Sequence, residues 1–388
     1  MRRPETRRAR RRRPLWLRIL RWTAVILPVL IVIALLAGGW YYSDQLRTDL
    51  LTPPEDEGPE YEVRVLEVGT DRVVLQRTED TILEGVHGLE WPGGFAQVAD
   101  IAGTSPGRVE REIEVLRGSL APGDRVRVDR WAFPDDPRVA FGLSFEEVTY
   151  RSELGTFPSW FIEGTDDTWV IFVHGKGATQ REALRTLRSV AEMGFPCLVI
   201  TYRNDEGAPP SPDGFFHLGD TEWEDLDAAV GFAVEEGARD VILVGYSMGG
   251  AIVTSYLLRS ERARLVRGAI LDAPVLDWGA VVDLGGDQRG LPQVLTTVAK
   301  TISAFRFGID WDDLEMLDEA ERFDVPMLLF HGDSDDRAPV KVSDRFAEAR
   351  PDLVTYVRIS GAEHVGSWNV DPSGYESAVE TFLTRVAA

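Results

Sequence analysis

The stretch "VILVGYSMGGAIV", residues 241–253, runs from four apolar residues through a serine set between glycines and into a second apolar run. Gly245, Ser247 and Gly249 spell GxSxG, the pattern in which a strand ends, the chain turns sharply and a helix begins with the hydroxyl held at the apex. Glycine suits both flanks because a side chain would crowd the turn and because glycine tolerates its unusual dihedrals. The same five residues also fit a plain strand-to-helix turn with Ser247 as a helix cap. A nucleophile needs company: a base, an acid, and donors for the charge that develops on an attacked carbonyl.

The flanking sequence supplies a frame for that company. From residue 146 short apolar strands alternate with helical stretches, the signature of an α/β domain with a mostly parallel sheet covered on both faces. Eight strands are predicted: "EVTYRS", "PSWFIEG", "TWVIFVHG", "CLVITY", "VILVGYS", "GAILDAP", "PMLLFHGD" and "VTYVRIS". Helices are predicted at 179–193, 220–236, 248–259 and 340–349, and "SGYESAVETFLTRVA" adds one more. Residues 277–323, between the sixth and seventh strands, carry their own apolar periodicity and read as an inserted cap.

Four loops fall at the carboxyl ends of strands, where open α/β sheets bind ligands. "VHGKGATQ" at 173–180 precedes a helix, so the amide of Lys176, after His174 and Gly175, can face an anionic oxygen. "GYSMGG" offers the amide of Met248 as a second donor. "HGDSDDRAP" at 331–339 brings three aspartates, and "GAEHVGSWN" at 361–369 presents His364. The order is serine, acid, histidine. Chemistry asks for such a set because a serine hydroxyl is a weak nucleophile at neutral pH: an imidazole must take its proton, and a carboxylate must fix the imidazole's tautomer.

Over residues 146–388 the chain resembles the α/β-hydrolase superfamily, in the serine-hydrolase branch whose acid loop reads HGxxDxxVP. The resemblance places the acid on Asp335, with Pro339 in register and Ala338 where valine is usual; Asp333 and Asp336 are left as outside candidates. It implies Ser247 as nucleophile, His364 as base, Asp335 as its orienting acid and the amides of Lys176 and Met248 as the oxyanion hole. It further implies hydrolysis of an ester, thioester or amide without a cofactor, on a small-molecule or peptide acyl substrate, with carboxylesterase or lipase-like action first. A peptidase on short peptides, an acyltransferase with the same triad and a non-catalytic scaffold are the alternatives. His174, Gly175, Tyr202, Arg203 and His217, with Asn204, are expected at the substrate pocket, against a surface loop without that role. His331 is expected to brace the acid loop. The five histidines are scattered and Cys197 is alone, so no metal-ligand spacing appears, and Cys197 reads as a small core hydrophobe.

The rest of the chain reads differently. Trp22–Ser43 holds 22 residues without a charge, about 33 Å of helix against a hydrocarbon core of about 30 Å. Residues 1–21 carry ten arginines against one glutamate, so the positive-inside rule predicts a single-pass anchor with its amino terminus in the cytoplasm and the catalytic domain outside. A cleaved signal peptide is the rival, although its apolar core usually runs 7 to 15 residues. The remainder holds 63 acids against 32 Lys plus Arg, a net of −31 where the whole chain has −22, which repels nucleic acid. Residues 44–60, acidic and proline-containing, read as a linker with no fold of their own. Alternating residues in "YEVRVLEVGTDRVVLQR", "REIEVLRG" and "GDRVRVDRWAF" predict a small β-rich domain over 61–145, whose partner is unknown. His87 and the Trp91–Gly94 turn inside it read as structural.

Overall fold

A computed structural model describes residues 15–54 and 58–388; most of the arginine-rich segment and the middle of the expected linker lie outside the described residues. Three parts follow one another. Helix α1 (Leu15–Leu46) contains the charge-free run, and its residues from Trp22 to Ile33 are exposed. The helix is long and apolar enough, over Trp22–Leu51, to cross a membrane.

Where a linker without fold was expected, the chain stays helical. A wide turn, Arg47–Leu51, continues α1, and Leu51 is buried with its carbonyl accepting the amide of Phe216 at 2.8 Å. The reason is apolar surface: Leu46, Leu50 and Leu51 share one side of the helical path and find a cavity wall and a core to cover.

The second part is a closed antiparallel barrel. Its strands are β1 (Val63–Val68), β2 (Arg72–Gln76), β3 (His87–Trp91), β4 (Gly94–Ser105), β5 (Arg108–Arg117) and β6 (Arg125–Asp129), joined in the order β1-β2-β5-β4-β3-β6 and back to β1. Alternation fills the interior with Val65, Val73, Leu75, Leu89, Val98 and Val126, among others. Closure removes the strand edges that an open sheet of this size would expose. His87, expected in a turn, opens β3 and is buried; Trp91–Gly94 is the β3–β4 turn.

After helix α2 (Pro137–Phe141) comes the larger domain, an eight-stranded sheet of α/β-hydrolase type. Strands β7 (Glu146–Ser152), β8 (Gly155–Ile162), β9 (Thr168–Val173), β10 (Cys197–Ile200), β11 (Asp240–Tyr246), β12 (Val266–Asp272), β13 (Met327–Gly332) and β14 (Val354–Ile359) lie in the order β14-β13-β12-β11-β9-β10-β8-β7. Pairings from β10 through β14 are parallel; β7 and β8 are antiparallel. Strands β9, β10 and β11 are buried along their whole length, as strands covered on both faces must be. The covering helices are α3 (Leu184–Glu192), α4 (Trp223–Glu235), α5 (Met248–Arg259), α8 (Val340–Ala349), the short α9 (Ser367–Val370) and α10 (Pro372–Ala387). Between β12 and β13 the predicted insertion forms two helices, α6 (Trp278–Gln288) and α7 (Gln293–Phe307).

Candidate active site

Ser247 stands at the junction of β11 and α5 with φ 51° and ψ −116°, a strained conformation for any residue but glycine. The neighbouring glycines are a steric necessity. A Cβ on Gly249 would lie 2.1 Å from the carbonyl oxygen of Val173, and one on Gly245 would lie 2.6 Å from that of Gly249. Backbone contacts hold the strained turn: the Ser247 amide donates to the Asp272 carbonyl at 3.0 Å, and its own carbonyl accepts from Gly250 and Val275.

Two further loops reach this serine. His364, after β14, places Nε2 2.7 Å from Ser247 Oγ and Nδ1 2.7 Å from Asp335 Oδ2. The Asp335 side chain is fully buried, and its Oδ1 accepts the amides of Arg337 and Ala338 at 2.8 Å each. His331 Nε2 lies 3.1 Å from Oδ2 of Asp335, while its Nδ1 faces Ser343 Oγ at 2.8 Å. Burial on its own would raise the Asp335 carboxyl, but hydrogen bonds from both imidazoles and the Ala338 amide outweigh it and hold the group well below the usual carboxylate range. These contacts favour the ionised form of Asp335. Of the outside candidates, Asp333 is exposed and accepts the Gly361 amide, and Asp336 sits at the cavity rim.

The loop after β9 comes equally close: a Cβ on Gly175 would be 3.0 Å from that of Ser247. Among the described residues, neither the Lys176 nor the Met248 amide has an acceptor, so both are available to an oxygen above the serine. Glu182, buried in the short helical turn that precedes α3, accepts the Gly175 amide at 2.7 Å and fixes this loop. His174 does not touch the cavity; its two ring nitrogens face the Gly175 carbonyl and Asp205 Oδ2, both at 2.9 Å. Burial lowers its pKa, yet the Asp205 carboxylate more than offsets that and the net shift is upward.

Ser247 and His364 open into a cavity of about 570 Å³, which Gly175 and Lys176 also line. Besides His174, four residues expected at the pocket are elsewhere. Tyr202 is buried, stacks on His174 and donates to the Gly175 carbonyl, so it supports the loop from behind. Arg203 is buried in an ion pair with Asp225 at 2.7 Å, with Glu224 at 3.0 Å. His217 pairs with Asp213 and Thr221 beside a separate small hollow, and Asn204 ties down its own loop through Ser211 and Phe215. The long loop after β10 thus commits its polar groups to the loop after β9, to α4 and to itself.

Sequence reasoning also missed the seam that holds His364. Arg185 of α3 donates to the Val365 carbonyl at 2.5 Å and to Asn369 Oδ1 at 2.9 Å. Asn369 in turn donates to the carbonyls of Val86 and Arg130 in the barrel, at 2.6 and 2.9 Å, and its carbonyl accepts the Val86 amide. Arg130 also pairs with Glu363 at 3.1 Å. His87, behind Asn369, is pushed down to about 4 by burial first and then by Arg111, Arg130 and Arg185. Among the described residues no cluster of His, Cys, Asp and Glu is arranged to hold a metal ion.

The model of the alpha/beta hydrolase family matches residues 170–378, more than half of the chain. The chain belongs to the α/β-hydrolase family. A second family model, a domain of unknown function, matches residues 64–129, the barrel strands. The esterase of Pyrococcus furiosus has a similar fold, with a TM-score of 0.54 at 20% identity over 66% of this chain and 96% of that one. Another crystal form of the same esterase gives 0.52 at 21% identity, over 66% and 98%. No curated protein matches the chain by sequence. In this α/β-hydrolase, then, the family match covers the sheet from β9 onward, and the amino-terminal helix and the barrel lie outside it.

Proposed function

We propose that this α/β-hydrolase is a membrane-anchored serine esterase that works through an acyl-enzyme on Ser247. The observation that carries the reading is the continuous hydrogen-bonded path from Ser247 through His364 to Asp335, with 2.7 Å at both links. In it, Ser247 Oγ attacks the acyl carbonyl while His364 Nε2 takes the hydroxyl proton. The carbonyl electron pair moves onto oxygen, which the amides of Lys176 and Met248 receive. Collapse of that adduct breaks the bond to the leaving alcohol, which takes the proton from His364. Water then attacks the acyl-enzyme by the same route and releases the acid. Asp335, ionised throughout, holds the imidazole in one tautomer and stabilises its charged form.

An ester is preferred over an amide on the likeness to the Pyrococcus furiosus esterase, a likeness of fold. Single-pass anchoring with the amino terminus in the cytoplasm rests on the ten arginines before the apolar run. Retention of the helix is supported by its packing, since cleavage after the apolar core would strip Ser43 and Asp44 from their partners on α7. The test is labelling of the full chain in membranes by a small fluorophosphonate, beside Ser247→Ala. Labelling lost in the variant is expected; equal labelling of both, or none of the folded wild type, ends the proposal.

A further inference from the structure

The catalytic cavity and the anchor helix are one structure. Tyr42, Gln45 and Leu46 of α1 line the same cavity as Ser247, and Asp49 and Leu50 extend that wall. Trp278, Val281 and Val282 of α6 and Ala299 of α7 line the cavity as well. The wall is built to stay. Gly39 gives room for Val298 and Ile302, since a Cβ there would lie 2.5 Å from the Val298 side chain, and Gly38 meets Leu295 in the same way. Higher up, Ser303 donates to Ser43, and Arg306 covers the Trp40 ring at 4.0 Å while pairing with Asp44 at 2.7 Å.

Helix geometry sets the level of this contact. Gly39 lies 17 residues beyond Trp22, which is about 25 Å along the axis and inside a hydrocarbon layer of about 30 Å. Asp44 lies 22 residues beyond Trp22, about 33 Å along and at headgroup level. The α7 helix therefore begins at the depth of acyl chains and rises to the headgroups beside α1. Its free surface agrees, because Val294 is 54% and Phe305 92% exposed, next to Trp40 at 55% and Tyr41 at 58% on α1. In water such a cluster is a liability; at a bilayer interface aromatic and aliphatic side chains are in place.

We infer that the substrate is a long-chain acyl ester resident in the bilayer, whose chain reaches Ser247 along an apolar wall to which the anchor helix itself contributes. This rests on the reading of Ser247 as nucleophile and of α1 as membrane-spanning. The cavity's composition fits an amphiphile: Leu46, Leu50, Trp278, Val281 and Ala299 give it apolar surface, and Gln45, Asp49, Arg289, Arg130, Lys176 and Arg337 give it polar groups. The anchor thus defines which molecules reach the serine, beyond keeping the enzyme near them.

The test uses the full chain in phosphatidylcholine vesicles with two fluorophosphonates, one carrying a sixteen-carbon chain and one an ethyl group. The long-chain probe is expected to label Ser247 at least ~10-fold faster than the ethyl probe, and Leu46→Trp, which blocks the wall from α1, is expected to reduce that ratio about tenfold. Val281→Trp supplies the same blockade from α6 should the first variant fail to fold. Equal rates for the two probes in the wild type overturn the inference while leaving the serine-hydrolase reading intact. Labelling by neither probe ends both.

Discussion

The serine elbow and the barrel seam both bring distant backbone close to a catalytic loop, but they do so by different means. At the elbow the contacts are between main-chain atoms, as where Gly249 at the start of α5 lies against Val173 at the end of β9, and the residue types that permit them sit within five positions. At the seam side chains do the joining, above all Asn369, which reaches the carbonyls of Val86 and Arg130, more than 230 residues earlier in the chain. The first kind of contact writes a motif into the sequence. The second leaves none, because any residue able to offer the right donors at the right place would serve.

The comparison can be pressed from both sides. Asp335→Asn should reduce kcat on the order of 10⁴-fold with the fold intact, since the amide still fills the site but presents the wrong partner to His364 Nδ1; turnover of a short-chain ester beside a circular dichroism spectrum measures it. A fall of only a few-fold would make His364 independent of its acid. Gly249→Ala is expected to cost about 3 kcal/mol or more, or to prevent folding, because the added methyl meets backbone that has nowhere to move. Wild-type stability of that variant in denaturant would show the elbow to be looser than its geometry.

The seam gives the smallest of the three effects and one with a pH signature. His87 Nε2 faces the Glu84 carbonyl at 2.9 Å, and its Nδ1 faces the Asn369 side-chain amide at 3.5 Å, an arrangement that suits a neutral ring protonated on Nε2. The folded chain keeps this ring neutral down to about 4, whereas the unfolded chain takes up a proton near 6.5. Stability is therefore fully present above about pH 6.5 and is lost as the pH falls towards about 4, on the order of 3 kcal/mol across the window. His87→Gln should flatten that part of the curve, as read from denaturant midpoints at pH 7 and pH 5. Parallel curves for variant and wild type would place the proton elsewhere.

Legibility in the sequence followed the same division. The eight strands of the larger sheet, the helix α5 and the positions of Ser247, Asp335 and His364 could be read because each is marked by a local pattern: an apolar run, a glycine turn, a loop after a strand. Tyr202, Arg203 and His217 could not be placed, since nothing local reveals that the loop after β10 commits its polar groups to the loop after β9, to α4 and to itself. Glu182 and Arg185 escaped for a related reason. A charged residue on an amphipathic helix ordinarily faces water, and only the finished fold shows these two buried against the Gly175 amide and the Val365 carbonyl. The helical course of 44–51 was hidden by its acidic and proline-rich surroundings, because the apolar surface it covers belongs to helices some 240 residues away.

The position of His364 also governs when the protein becomes reactive during its synthesis. The anchor, the barrel and the elbow with Ser247 all leave the ribosome before β14 does. A nascent chain halted short of residue 364 carries an alcohol with no imidazole to activate it, and one halted short of Asn369 carries an imidazole whose loop is not yet fastened. On the proposed mechanism, synthesis thus delivers the chain inert, and chemical competence arrives as one of the last events of its making.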